Sequence, residues 1–129
     1  MEIYEKEAQN LLRKLGANGS YIGFWYAAYG IVLTIKDPEL LVYISKGLYV
    51  DISFKFNTTT KCVERNIRTI KNIIWEYGNR DLLNFIFTYE LKEVPSNAYF
   101  IDALANYIVS TYKYNNDKWE MLNKNISEL

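Results

Sequence analysis

The sequence predicts an all-α protein, a compact bundle of about six helices that contains a helix-turn-helix. Apolar residues recur at helical spacing, and Gly, Asn and Pro stand where helices are expected to begin or end. No alternating run of apolar and polar residues is long enough to indicate a strand. The chain has 129 residues, half of them hydrophobic, so it can bury one core without cross-links.

The first third of the chain predicts two helices. One runs from about Glu2 to Leu15 and ends at Gly16. Ser20 is expected to cap the second, whose aromatic residues we interpret as core. The alternative use of these aromatics, stacking on single-stranded bases, needs basic neighbours, and residues 21–35 include no charged side chain.

The middle of the chain predicts two helices joined by a short turn. Before them, Asp37 and the proline after it favour a third helix over about 38–44, because Asp caps helix ends and Pro suits the first position. A short helix is expected over 48–56, then turn residues at 57–60, then a longer helix from about 59 to 77. This order is that of a helix-turn-helix, in which the second helix enters the DNA major groove.

The last third predicts a short helix over 80–87, after a stop at Gly78-Asn79, and a long one over 97–112. Residues beyond 112 are polar, and we expect them to be loose or weakly helical. The predicted organisation is one domain over residues 1–112 followed by a polar tail over 113–129.

The longer helix of the middle segment has two contrasting faces. On a helical wheel its apolar seam comprises Val63, Ile67, Ile70 and Ile74. The opposite face holds Lys61, Arg65, Arg68 and Asn72, with Glu64 at its edge. Such a face is most often only solvated. Here the preceding short helix and turn, with small Ser53 near the expected helix crossing, favour a face that meets DNA.

Charge is uneven along the chain. The total is zero, but residues 55–80 contain six basic and two acidic side chains, a net charge of +4. Residues 1–54 have a net charge of −1 and residues 81–129 of −3. One basic segment in an otherwise mildly acidic chain can orient a domain on a polyanion.

The composition excludes several other classes of function. Cys62 is the single cysteine and there is no histidine, so neither a disulfide within the chain nor a zinc site is expected. We find no catalytic constellation and no glycine-rich phosphate loop, and we expect no enzyme, no cofactor, no metal and no small-molecule substrate. The amino terminus lacks the pattern of a secretory signal, and residues 21–35 are too few to span a bilayer. A cytoplasmic protein without a membrane partner is expected.

A set of residues across the chain resembles a known family, the DNA-binding effector domain of the stage-zero sporulation response regulators. The central set is Lys55-Phe56-Asn57-Thr58-Thr59, Val63-Glu64-Arg65, Ile67-Arg68, Trp75 and Gly78-Asn79. Upstream it continues with Gly16, Gly23, Tyr26, Glu39-Leu40-Leu41, Ile44, Lys46, Leu48-Tyr49 and Asp51-Ile52, and downstream with Phe87, Tyr89, Pro95, Asn97 and Phe100-Ile101. The resemblance spans about residues 12–109 and implies a helical transcription factor that acts at entry into sporulation.

The resemblance places Glu64, Arg65 and Arg68 at positions that face DNA in this family. Arg suits the O6 and N7 atoms of guanine, and Glu can accept from the cytosine amino group. We expect base contacts from Lys61, Cys62, Glu64, Arg65 and Arg68. We expect phosphate contacts from Lys55, Thr58, Thr59, Thr60 and Asn72.

Three departures from the family refine this expectation. Cys62 stands where the family typically has a basic residue, so the reading of one base should change. The loop Lys92-Glu93-Val94 looks shorter and less basic than its counterpart, which predicts a lost backbone contact. The family's amino-terminal receiver domain, with its phosphorylated Asp, is not expected in a chain of this length.

Two functions follow from these patterns. The first is a sequence-specific regulator that binds double-stranded DNA, as a homodimer or in tandem. The second is an interaction module that pairs with a full-length regulator, or antagonises it, without reading DNA.

Overall fold

A computed structural model describes the backbone of residues 2–127 and the side chains of residues 3–118 and 120–125. It confirms the all-α bundle. Its helices are α1 (Glu2–Leu15), α2 (Ile22–Lys36), a short 3-10 helix (Pro38–Leu41), α3 (Leu48–Phe56), α4 (Thr60–Tyr77), α5 (Arg80–Phe87) and α6 (Asn97–Ser127). Within the described residues there is no strand.

Helix α2 is the centre of the bundle. It contacts α1, α3, α4 and α6, and Phe24, Ala27 and Ile31 on it are fully buried. The interpretation of the aromatic run as core is confirmed, since Phe24 and Tyr26 are buried and Trp25 donates to the Gly19 carbonyl at 3.0 Å. Burial of this helix on several sides explains why it is apolar nearly all round.

Two close backbone approaches fix the position of α4. A Cβ on Gly23 would lie 2.1 Å from the Asn66 carbonyl oxygen, so only glycine lets α2 and α4 cross this closely. At the carboxyl-terminal end of α4, Gly16 has φ +112° and packs on Gly78, while the Asn79 amide donates to the Leu15 carbonyl at 3.0 Å. Helix α4 is therefore held by backbone contacts in its first half and at its carboxyl-terminal end.

Helices α3 and α4 form the predicted helix-turn-helix pair. Leu48 and Ile52 of α3 are fully buried, and α3 contacts α4. Ser53 is buried, as expected for a small residue near the crossing, and its hydroxyl donates to the Val50 carbonyl at 2.7 Å. The pair is thus part of the main core and not an appendage.

The sequence was misleading at two helix starts. Ser20 does not cap α2: its amide and hydroxyl both donate to the Asn18 side chain, and the cap position is Tyr21. Asp37 does act as a cap, accepting from the Glu39 amide at 3.2 Å, but the helix it starts is a single 3-10 segment that ends at Leu41.

The predicted third helix ends early because Val42 and Tyr43, the next residues along the chain, have little to pack against. Val42 and Tyr43 are 69% and 75% exposed. Since most helical stability in proteins comes from packing of an apolar face, a segment without one does not continue.

The tail is the largest difference from prediction. Helix α6 does not end near Tyr112 but continues to Ser127. No Gly or Pro interrupts residues 97–127, and extending an established helix needs no new nucleation. The division of the chain at residue 112 stays a prediction, and residues 128 and 129 lie outside the described part. None of the helices described is both long enough and apolar enough to cross a membrane.

Candidate nucleic-acid interface

The turn between α3 and α4 is set by three residues. Asn57 adopts the left-handed conformation with φ 52°, which asparagine tolerates better than most residues, and ends α3. The Thr58 amide donates to the Ser53 carbonyl at 3.0 Å. Thr59 caps α4, its hydroxyl accepting from the Cys62 amide at 3.1 Å. This turn presents the amino-terminal end of α4 at the surface.

The two predicted faces of α4 are confirmed. The seam of Val63, Ile67, Ile70 and Ile74 is fully buried. Lys61, Arg65, Arg68 and Asn72 are all exposed. The buried seam holds the helix in the bundle, so the basic face must point outward in every orientation that keeps the core intact.

Glu64 and Arg68, two of the predicted base-reading residues, bind each other. An Arg68 guanidinium nitrogen donates to Glu64 Oε1 at 2.8 Å, one helical turn apart. Both side chains remain accessible, 51% exposed for Arg68 and 36% for Glu64. The pair is weak in water, so the Arg68 fork can leave it for a stronger acceptor. Arg65 is exposed beside it on the same face.

The predicted phosphate-binding residues surround this face. Lys55 is exposed at the end of α3, with its ammonium 5.7 Å from the centre of the Tyr29 ring. Thr58 and Thr60 are half-buried on either side of the exposed Thr59, and Asn72 lies further along α4. The structure therefore brings Lys55, the three threonines and the start of α4 to one edge, with Asn72 at the far end.

Cys62 has a different environment from the other predicted base-reading residues. It is half-buried and faces polar neighbours: Asn66 Nδ2 lies 3.3 Å from its sulfur. A hydrogen bond with Thr58 lowers the pKa of the thiol. Burial opposes this, and Tyr26 and Arg65 add to the lowering. Its contact with a base stays a prediction.

Sequence reasoning missed the link between α6 and the basic helix. Asn97, the first residue of α6, is buried and donates from Nδ2 to the Tyr49 hydroxyl at 2.9 Å and to the Glu64 carbonyl at 3.2 Å. Burial raises the pKa of Tyr49, against the lowering effect of the Asn97 bond. One amide thus joins α3, α4 and α6 next to Glu64. Its position after Pro95 indicated a helix start, but no sequence signal indicated these partners.

Lys71 is the second residue that the sequence did not single out. It is only 7% exposed, although it belongs to the basic helix. Burial lowers its pKa, and nearby Arg68 lowers it further, whereas Glu64 acts in the opposite direction. Its stem follows the buried seam with its charge near the Glu64–Arg68 pair. In the described part of the chain no group of three or more His, Cys, Asp or Glu side chains could hold a metal ion.

These features define a class. A short helix, a three-residue turn and a longer helix with a buried seam and an exposed basic face make up a helix-turn-helix DNA-binding domain. The model of one family, described as "Sporulation initiation factor Spo0A C terminal", matches residues 8–108, and the chain belongs to that family. It is a family of DNA-binding domains of sporulation transcription factors and not of enzymes. The match includes the whole of α2 to α5 and leaves the whole carboxyl-terminal half of α6 outside it.

Proposed function

We propose that this domain binds double-stranded DNA sequence-specifically and regulates transcription, with α4 in the major groove. The observation that carries the proposal is the position of Arg65 and Arg68, exposed on the face of α4 opposite its fully buried seam. Arginine binds guanine through two parallel hydrogen bonds, which distinguishes guanine from other bases. Family membership supports DNA binding, and the geometry supports these two residues as readers.

The other proposed contacts with DNA follow from where each residue lies on α4 or near the turn before it. Glu64 accepts from a cytosine amino group once Arg68 has turned to a guanine. Lys61 and Cys62, one turn nearer the amino terminus of α4, contact the flanking base. Lys55, Thr58, Thr59, Thr60 and Asn72 hold phosphates, which sets the register of α4 in the groove without reading sequence.

The domain is proposed to act in the cytoplasm and to bind without phosphorylation of its own residues. Treatment of residues 1–129 with acetyl phosphate should leave the affinity for DNA unchanged. A clear rise in affinity on this treatment would show a phosphorylation site within these residues.

The main test is selection of bound sequences from a random duplex pool, with wild-type protein and with an Arg65→Ala, Arg68→Ala double variant. Wild type should enrich one box containing guanines. Each single substitution should lower the affinity for that box by roughly ten- to a hundredfold and relax the preference at one base, because such a contact contributes about 1–3 kcal/mol.

Two outcomes would contradict the proposal. If the folded double variant selects the same box with the same affinity, α4 does not read bases through these arginines. If wild type enriches no box at all, the interaction-module function takes its place. Pull-down with a full-length regulator of this family then becomes the decisive measurement. Ile70→Ala is the control for unfolding, since its truncation should cost about 2–5 kcal/mol of stability.

A further inference from the structure

Lys71 is a buried lysine on the helix that carries the basic face. It is only 7% exposed, and no acidic side chain in the described part of the chain forms an ion pair with it. Lysine is almost never this buried unless its charge is paired. An apolar side chain would fill the same space without the cost of burying a charge. Packing of its stem alone therefore does not account for a lysine at this position.

Three charged side chains share one flank of α4. Arg68 follows Glu64 by four residues and Lys71 follows it by seven, so the three lie at successive turns of one stripe. Long side chains on a helix lean towards its amino terminus, which directs the Lys71 stem towards the other two. Burial is the main cause of the lowered pKa of Lys71, Arg68 lowers it further, and Glu64 raises it. The ammonium therefore lies within electrostatic range of both members of the ion pair.

The backbone beneath this stripe is fixed, so any change of partners must come from the side chains. The Glu64 carbonyl accepts from Asn97 at 3.2 Å, and Asn97 is itself buried at the start of α6. Arg68 is 51% exposed and can turn away from Glu64. Lys71 stays in place, because its stem is buried.

Reading of guanine by Arg68 would change the charge around Glu64. In the free domain Arg68 neutralises the carboxylate at 2.8 Å. Once Arg68 binds guanine, the carboxylate faces the phosphates of DNA without that partner, and like charges repel unless a cation stays close. On the helical wheel Lys71 lies about 20° from Glu64, whereas Lys61 and Arg65 are turned by about 60° and 100° towards the groove. Lys71 is thus the cation that remains on the flank of Glu64.

We propose that Lys71 is a positioning residue for Glu64, replacing Arg68 as the cation beside the carboxylate when Arg68 turns to guanine. This inference rests on the proposed function of α4. It makes Lys71 a determinant of sequence specificity that does not itself touch DNA. On random DNA Arg68 keeps its carboxylate partner, so the contribution of Lys71 is confined to the matching box.

Affinities for the selected box and for a random duplex, measured by fluorescence anisotropy, test this role. Lys71→Met keeps the stem and removes the charge. It should weaken binding to the box at least fivefold and change binding to the random duplex by less than twofold. Lys71→Arg keeps the charge and should keep the wild-type ratio of the two affinities. Lys14→Met, at an exposed position of α1, controls for the loss of one positive charge and should also leave the ratio unchanged.

A double-mutant cycle with Glu64→Gln separates this role from a structural one. Without the carboxylate no cation is needed, so adding Lys71→Met to Glu64→Gln should change binding to the box by less than twofold. A structural effect of Lys71→Met would appear equally in both backgrounds.

The outcomes distinguish this inference from the proposed function. A wild type that enriches no box removes both. The role of Lys71 alone is overturned if the box depends on Arg68 but a folded Lys71→Met keeps the wild-type ratio. It is also overturned if Lys71→Met weakens binding equally in the Glu64→Gln background, or if a folded Lys71→Arg loses the ratio.

Discussion

At the residue scale, we expect the ion pair between Glu64 and Arg68 to limit how strongly the basic face attracts phosphate. Glu64 neutralises part of the charge beside Arg68 at 2.8 Å. Glu64→Gln keeps the shape of the side chain and removes its charge. We expect it to strengthen binding to random duplex DNA by roughly two- to fivefold, in keeping with the small energy of an exposed pair.

Fluorescence anisotropy with a random duplex measures this change. Glu76→Gln is the control, since it removes the same charge from an exposed position three turns further along α4. Equal gains in DNA affinity for the two variants would show that only the net charge matters for binding to random DNA. The ion pair with Arg68 would then have no separate effect on that binding.

The buried charge of Lys71 is expected to lower the free energy of unfolding. The pKa of Lys71 is lower in the folded chain than in the unfolded chain. Between these two pKa values the unfolded chain therefore binds more protons. As a result, the free energy of unfolding rises with pH up to the ordinary lysine pKa of 10.5. Lys71→Met keeps the buried stem and removes the charge, so it should raise Tm at pH 7 by a few degrees, since about 1 kcal/mol shifts Tm by about 4 °C.

Thermal melting followed by circular dichroism measures this change in Tm. The difference in Tm between Lys71→Met and wild type should shrink as pH rises. Lys61→Met, at an exposed position of the same helix, should leave Tm nearly unchanged. A gain that is constant with pH would point to packing and not to the buried charge.

Sequence patterns predicted the residues whose environment depends on one helix and missed those whose environment depends on two or three. The seam and the basic face of α4 follow from its own period, and both were found. Asn97 was not, because its burial results from α3, α4 and α6 meeting in space, and neither was Lys71, which is buried although it lies on the basic helix. Single side chains at such junctions leave no periodic signal.

At the scale of elements, glycine decides how closely α2 approaches α4. Gly23→Ala would place a Cβ 2.1 Å from the Asn66 carbonyl oxygen, a backbone atom that cannot turn aside. We expect α2 and α4 to separate, with a loss of about 2–4 kcal/mol that exceeds the gain of about 1 kcal/mol in helix propensity. Denaturant unfolding measures this loss.

Gly30→Ala, in the same helix, is the matched control. Its Cβ would meet only the ends of side chains, the nearest being that of Ile52 at 3.0 Å, which can adjust. Its effect should stay below about 1 kcal/mol. If both variants unfold alike, the close crossing at Gly23 is not what limits the approach of α2 to α4.

The ends of the helices show why the start of a helix is easier to predict than its length. Asp37 was recognised as a cap because capping depends mainly on neighbours in the sequence, and it does cap a helix, whereas Ser20, recognised in the same way, does not. Length was harder. The helix after Asp37 is shorter than predicted and α6 is longer, because the extent of a helix depends on packing and on the absence of breakers as well as on its start signal.

At the scale of the whole molecule, the uneven charge predicts a strong salt dependence. The net charge of +4 over residues 55–80 and the acidic remainder should orient the domain on DNA. Affinity should fall linearly on a double logarithmic plot against salt, with a slope of roughly −4.5 if the basic side chains neutralise about five phosphates. Lys55→Ala should reduce this slope by about one for every sequence tested. A flat response would exclude phosphate contacts.

The Glu64–Arg68 pair also bears on how such a domain finds its site among a genome of competing sequences. A reading side chain that is held by a neighbouring carboxylate adds little to the attraction of random DNA, so encounters away from the target should be brief. At a matching guanine the arginine exchanges one partner for a better one. We expect the pair to shorten unproductive residence while leaving the target complex long-lived, a difference that single-molecule dwell times of wild type and Glu64→Gln would reveal.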